Sequence, residues 1–109
     1  MSDNVIELNK DNFEKEVSKN EGITIVDCWA PWCGPCRMMS PIFEELAGEM
    51  TDIKFCKLNV DDNREIANSY RVGGIPNFLM FKNGKAVASR VGGSLKEDLQ
   101  DWILTNSKK

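Results

Sequence analysis

The sequence predicts an α/β protein: one mixed β-sheet of five strands with four helices spread over both faces. Three observations predict it. Apolar, β-branched runs of strand length alternate with segments of helical periodicity, in the order β-α-β-α-β-α-β-β-α. The early strands are separated by helical stretches, and such crossovers join parallel strands. The last two strands flank Asn83-Gly84, the strongest short-range hairpin signal in the chain, and so pair antiparallel.

Val5 to Leu8 is a short strand candidate. Asn9-Lys10-Asp11-Asn12 supplies cap residues for a helix whose Phe13 and Val17, four apart, face one side. Glu21-Gly22 then turns the chain into Ile23-Thr24-Ile25-Val26-Asp27-Cys28-Trp29. That run is almost continuously apolar, the pattern of a central strand covered on both faces. A helix from about Gly34 to Met50 follows, with Pro41 inside it removing one backbone donor and producing a kink. Ile53 to Val60 is a second buried strand. Asp61-Asp62-Asn63 caps a short helix through Tyr70, and Val72 to Pro76 is a turn-rich loop. Asn77 to Phe81 and Ala86 to Val91 form the hairpin. Ser94-Leu95-Lys96-Glu97 reads as a capping box, opening a last helix with Leu95, Leu99, Trp102 and Ile103 on one apolar stripe.

The chain has 109 residues, four cysteines, no histidine, 28% charged residues and a formal net charge of −3. No linker, repeat or low-complexity segment divides it, so residues 1–109 are expected to form one domain. A core of this size forms without disulfide staples or metal, which leaves the cysteines free for chemistry. Mild acidity argues against nucleic acid as a partner. Met1-Ser2-Asp3-Asn4 is polar and acidic, with no basic and then apolar run of a leader, and no stretch reaches the length of a membrane span. The expected compartment is a reducing cytosol, where a CxxC is catalytic or metal-binding rather than structural.

Trp32-Cys33-Gly34-Pro35-Cys36 directly follows the strand Ile23 to Trp29 and directly precedes the long helix. Two thiols at this spacing close a small disulfide ring if they occupy the first helical turn. The unpaired N–H groups and dipole of a helix N-terminus favour a thiolate on the first cysteine. Half of a zinc site is the competing reading of a CxxC. Cys28 and Cys56, however, are single residues inside strand candidates, with no second CxxC and no histidine to complete such a site. Asp27 lies mid-strand among apolar residues, where burial raises a carboxyl pKa, the profile of a proton acceptor. Lys57, also within an apolar strand candidate, is its expected charge partner, with snorkelling to solvent as the alternative.

The chain resembles the thioredoxin family over its whole length. Val26 to Cys36 resembles the family's active-site strand and loop, and Lys57-Leu58-Asn59-Val60-Asp61 its third strand. Gly74-Ile75-Pro76 resembles its proline loop, Phe81-Lys82-Asn83-Gly84 its hairpin, and Val91-Gly92 its second substrate-side loop. The resemblance implies a thioredoxin fold and a protein disulfide reductase that cycles Cys33 and Cys36 between dithiol and disulfide. Cys33, its sulfur outward, is the expected nucleophile and the inward Cys36 the resolving thiol. Pro35 carries no N–H and so withholds one donor from the Cys33 thiolate, which leans toward a reductant rather than an oxidase or isomerase of the same fold. The resemblance further implies that Asp27 sits behind Cys36 and serves it as a base through water, assisted by Lys57.

It also implies a cis peptide at Ile75-Pro76 and a docking surface around Cys33 made of Trp32, Gly34, Pro35, Ile75, Pro76, Val91, Gly92 and Gly93. There the Ile75 backbone would pair with an extended substrate segment. Trp29 reads as structural, packed beneath the loop. No bound cofactor is needed. The implied partners are disulfide-containing proteins and a reductase, a flavoprotein drawing on NADPH or a ferredoxin-linked donor, with the chain itself a monomer. A non-catalytic subunit that clamps a partner through the same surface is the alternative from another functional class.

Three positions depart from the family pattern: Cys28, where an aromatic residue is common, Cys56, where a small apolar one is, and Asn77 in place of threonine after Pro76. If Asp27 and Lys57 face each other across parallel strands, Cys28 and Cys56 come near one another on the opposite face. They are then a second dithiol or inert core residues; the chemistry of buried thiols favours the latter.

Overall fold

The structure, a computed structural model, describes residues 4–108; Met1, Ser2 and Asp3, which carry most of the reading of the N-terminus, lie outside the described residues. Five strands form one sheet: β1 (Val5–Glu7), β2 (Ile23–Trp29), β3 (Lys54–Asn59), β4 (Asn77–Lys82) and β5 (Lys85–Val91). Their order across the sheet is β1-β3-β2-β4-β5. β3 runs parallel to β1 and β2, whereas β4 runs antiparallel to β2 and β5, giving the mixed sheet expected from the crossovers and the hairpin. The helices are α1 (Gly34–Glu49), α2 (Arg64–Ser69), α3 (Lys96–Ser107) and a π-helical turn at Glu14–Ser18.

Alternation along the central strands sends side chains into two cores, one per face. On one face Ile25, Phe55, Phe78 and Met80 pack against Met39, Phe43 and Leu46 of α1 and Leu99 and Ile103 of α3. On the other, Val26, Cys28, Cys56, Leu58, Leu79 and Phe81 pack against Phe13, Val17, Ile66 and Tyr70, carried by the π-helical turn and α2. Helix α1 is continuous through Pro41. Lys96 of α3 reaches Glu45 and Glu49 of α1 at 3.2 and 2.6 Å and ties the two helices together on their solvent side.

Four local expectations are corrected. The segment after Asn12 is π-helical rather than α-helical: Lys19 N–H reaches the Glu14 carbonyl, five residues back, at 2.8 Å. The widened turn presents the Glu16 carbonyl and carboxylate to Lys54 Nζ of β3, at 3.2 and 3.0 Å. Asn9 and Asn12 exchange backbone N–H to side-chain oxygen bonds of 2.8 and 3.0 Å, a reciprocal pair that closes the turn leading into this segment, whose own cap position, Phe13, has no side-chain cap. At α3 the cap position is Leu95, with no side-chain cap; Ser94 gives its hydroxyl to the Leu95 carbonyl and its N–H to the Met39 sulfur. Leu95 consequently leaves the apolar stripe and is exposed. Asn63 stands at the cap of α2 but caps nothing with its side-chain oxygen. Its amide instead donates to the Asn59 carbonyl, and Asn59 Oδ1 takes the N–H of Asp61 at 2.9 Å.

The Asn83-Gly84 turn has both residues at positive φ, 51° and 84°, the backbone that matches a two-residue hairpin to strand twist. Its tip docks on the turn before β2: Asn83 N–H donates to the Gly22 carbonyl and Gly22 N–H to Asn83 Oδ1, at 2.9 and 2.8 Å. A Cβ at Gly84 would collide with the Ser18 carbonyl, whereas one at Gly22, also at positive φ (88°), meets nothing within 4 Å. Gly84→Ala should therefore cost more than about 2 kcal/mol of stability, and Gly22→Ala about 1 kcal/mol. Urea unfolding of both variants checks this; equal losses would mean that the hairpin tip does not pack on Ser18.

Candidate active site

β2 ends at Trp29, and a tight turn through Ala30 delivers Cys33, whose N–H bonds the Ala30 carbonyl at 3.1 Å, to the start of α1. Cys33 is the N-cap, with extended backbone (φ −88°, ψ 111°), and its sulfur accepts the Cys36 N–H at 3.2 Å. Gly34 and Pro35 fill the first two helical positions, so Pro35 has no N–H to offer. Cys33 and Cys36 are joined as a disulfide with Cα atoms 5.3 Å apart. The helix N-terminus acts on Cys33 as the sequence suggested: a backbone donor and the positive end of the dipole both face its sulfur.

The expectation of an outward Cys33 sulfur needs correction. Cys33 is 5% exposed and Cys36 2%. Both are covered by Ala30, Trp29, Val60 and Ile75, and the Ile75 carbonyl lies 3.9 Å from Cys33 Sγ. The Ile75-Pro76 peptide is cis. Pro76 itself is buried, and its carbonyl takes the Gly92 N–H at 2.8 Å, joining the proline loop to the segment after β5. Gly92 has φ 102°, a conformation that favours glycine. Trp32, Gly34, Pro35, Val91 and Gly93 are exposed around the disulfide, and Ile75 is half-buried. The indole N–H of Trp32 donates to Asp61 Oδ2 at 2.9 Å, a fixing contact that the sequence did not reveal.

Behind Cys36 lies a cavity of about 100 Å³ lined by Asp27, Trp29, Cys36, Arg37, Ser40 and Lys57. Asp27 and Lys57 are register partners across β2 and β3, as the sequence suggested. No ion pair joins them directly among the described residues; the Lys57 ammonium sits over the Trp29 ring, 5.9 Å from its centroid. Asp27 Oδ1 and Trp29 Nε1 are buried without protein partners. Burial pushes the Asp27 carboxyl up to about 7, and the nearby Lys57 charge holds it below where burial alone would put it. Arg37 and Ser40, exposed on α1, form part of the cavity wall. Their place there follows from helical spacing, since 36, 37 and 40 share one face of α1.

Cys28 and Cys56 are free and fully buried on the other face of the sheet. Cys28 stands opposite Leu58 and Cys56 opposite Val26, so the register staggers them. Burial pushes both thiols up to about 12. These are the properties of inert core residues. Asn77, the third departure, is buried and takes the Ser89 hydroxyl at 2.9 Å.

A family model described as Thioredoxin matches residues 4–105. Curated relatives include the thioredoxin of Pseudomonas aeruginosa, 38% identical over 107 residues that cover 97% of this chain and 99% of that protein. The thioredoxin of Bacillus subtilis is 43% identical over 100 residues, covering 91% and 94%. That of Acidithiobacillus ferridurans is 43% identical over 104 residues, covering 94% and 96%.

Asp27 gives the site a pH signature. Its carboxyl holds a proton up to about 7 in the folded chain, whereas the unfolded chain releases it near 3.8. The folded state therefore binds more protons in between, and the Asp27 contribution to stability is full below pH 3.8 and lost as pH rises through about 7. Asp27→Asn should be more stable than the native chain by about 4 kcal/mol at pH 8 and equal to it at pH 3. Guanidinium unfolding at the two pH values measures this; a variant no more stable at pH 8 would contradict the burial argument.

Proposed function

The chain belongs to the thioredoxin family, and from that membership and the Cys33–Cys36 disulfide at the head of α1 we infer how it works as a thiol-disulfide oxidoreductase. Its substrates are disulfides. In the reduced chain the Cys33 thiolate attacks one sulfur of a substrate disulfide, releasing the other as a thiolate and forming a mixed disulfide. Cys36 then loses its proton and attacks Cys33 Sγ. The second substrate sulfur leaves, two electrons have passed to the substrate, and the chain holds the Cys33–Cys36 disulfide described above. A reductase returns the two electrons.

The single observation that carries this reading is the N-cap placement of Cys33, with its sulfur on the Cys36 N–H and the helix terminus. The cavity supports a role for Asp27 as the base for Cys36. Both line it, one water needs only about 10–15 Å³, and two orphaned polar atoms on its wall call for hydrogen-bond partners. A carboxylate with a pKa near 7 is matched to taking a thiol proton at neutral pH. Lys57 keeps the ionised form accessible. Trp32, Gly34, Pro35, Ile75, Pro76, Val91, Gly92 and Gly93 are the proposed docking surface, with the Ile75 backbone open to an incoming strand. The reductase is in this reading a flavoprotein using NADPH or a ferredoxin-linked enzyme, and the chain acts as a single-domain monomer in a reducing cytosol. No helix among the described residues is long and apolar enough to cross a membrane.

Cys36→Ser should stop the reaction at the mixed disulfide, so incubation with a disulfide-bonded protein yields a covalent adduct visible by non-reducing electrophoresis and dissolved by dithiothreitol. A clamp that uses only the surface would form no adduct and would keep its partner through the substitution. The couple should also equilibrate with thiol buffers at or below the cytosolic glutathione poise, about −220 to −260 mV. A potential well above that range would assign the chain to oxidation or isomerisation.

A further inference from the structure

Six large apolar side chains stand exposed among the described residues, and four of them gather at one end of the molecule: Trp32 (69% exposed), Met38 (75%), Val91 (61%) and Leu95 (63%). Trp32 and Val91 belong to the docking surface already proposed. Met38 and Leu95 do not. They line an open groove of about 630 Å³ that begins at Pro35 and Gly93 and runs away from the disulfide between α1 and the start of α3. Clustered exposure of this kind marks a binding surface rather than the scattered apolar residues normal to a protein exterior.

The groove is built rather than incidental. Pro35, Met38, Met39 and Ile42 fall at i, i+3, i+4 and i+7 on α1, one continuous face, and all four line it. Met39 is its buried floor, held by the Ser94 N–H on its sulfur at 3.4 Å. Gly93 leaves the entrance open: a Cβ there would stand 3.8 Å from Met39, in space the groove now occupies. Leu95, at the cap position of α3, is exposed and forms the far wall. Among the described residues the charged ones on the wall are Arg90 and Asp98, of opposite sign, so their formal charges cancel.

We propose that this groove takes a large apolar side chain of the substrate, lying two to four residues from the cysteine that Cys33 attacks. The inference rests on the oxidoreductase reading above and names a feature of its preferred substrates. Continuity sets the occupant: the groove shares Pro35 and Gly93 with the surface around Cys33, so a chain held at Cys33 runs directly into it. Length sets the spacing. From Cys33 to Met38 is about 8 Å along the helix axis, which an extended chain covers in about two or three residues. Lining sets the chemistry, since Pro35, Met38, Met39, Ile42 and Leu95 offer an incoming side chain a mostly apolar surface.

The test uses two disulfide peptides that differ only in carrying Leu or Ser three residues outside each cysteine. Reduction is followed for the native chain, Met38→Glu and Leu95→Glu, each rate being divided by the same protein's rate on a small aromatic disulfide. Both substituted residues are exposed, so the variants should fold. The native chain should show a kcat/KM at least about five-fold higher for the Leu peptide, the effect of partly burying one such side chain. That preference should fall to within about two-fold in both variants. Equal rates on the two peptides in the native chain, or a preference that survives both variants, would overturn the proposal while leaving the oxidoreductase reading intact. Sedimentation that finds a dimer dissolved by Leu95→Glu would also overturn it, assigning the groove to a second copy of the chain. Failure of the native chain to reduce even the small disulfide would defeat the oxidoreductase reading and this inference together.

Discussion

The double pairing of β2 is the constraint on which the rest of the structure depends. Held by β3 on one side and β4 on the other, this strand has no freedom to shift register, because a slip of one residue would exchange Ile25 and Asp27 with Val26 and Cys28 between the two faces. Its rigidity is passed directly to the turn at Ala30 and to the first residue of α1. Cys33 is thus fixed at a helix terminus by a sheet rather than by a loop. The same registration places Lys57 opposite Asp27 and sets both under the helix that carries Cys36.

The role proposed for Asp27 sets function against stability. An ionised carboxylate beneath α1 opposes folding, and an amide or apolar residue would serve the fold better. The cavity beside it is a second concession, since that space is not filled by side chains. In the proposed role of Asp27 as base for Cys36, both are parts of a route for one proton. Lys57 moderates the cost without closing on Asp27, because its ammonium rests on the face of Trp29 and acts through space. A direct ion pair would hold the carboxylate permanently charged and reduce its use as an acceptor.

Much of this was legible in the sequence because it rests on local patterns with strong physical causes. The β-branched run at Ile23–Trp29, the Asn83-Gly84 turn and the CxxC between strand and helix each have one favourable structural outcome. Asp27 was legible for the opposite reason, as a residue whose cost in an apolar strand demands an explanation. What escaped depended on tertiary partners. The π-helical turn, whose Glu16 carbonyl is reached by Lys54 from another element, has no signature in the local spacing. The Ser94 capping box failed because Met39, fifty-five residues away, holds the Ser94 N–H, while Asn9 and Asn12 form the reciprocal pair without the usual serine and glutamate. Trp32 gave no sign of Asp61, nor Met38 of Leu95, since nothing in the spacing of such pairs marks them as neighbours.

Cys28 and Cys56 acquire a different meaning once the sheet lies between them and the active pair. Four cysteines permit three complete disulfide connectivities. Two of these would need Cys28 and Cys56 to leave the core in which each is fully buried, and the third leaves Cys33 bonded to Cys36 whatever becomes of the others. A chain that meets oxidants repeatedly, and carries more sulfur than its chemistry uses, therefore has one oxidised form to return from and no scrambled ones. The core serves as a proofreader of pairing as well as a scaffold.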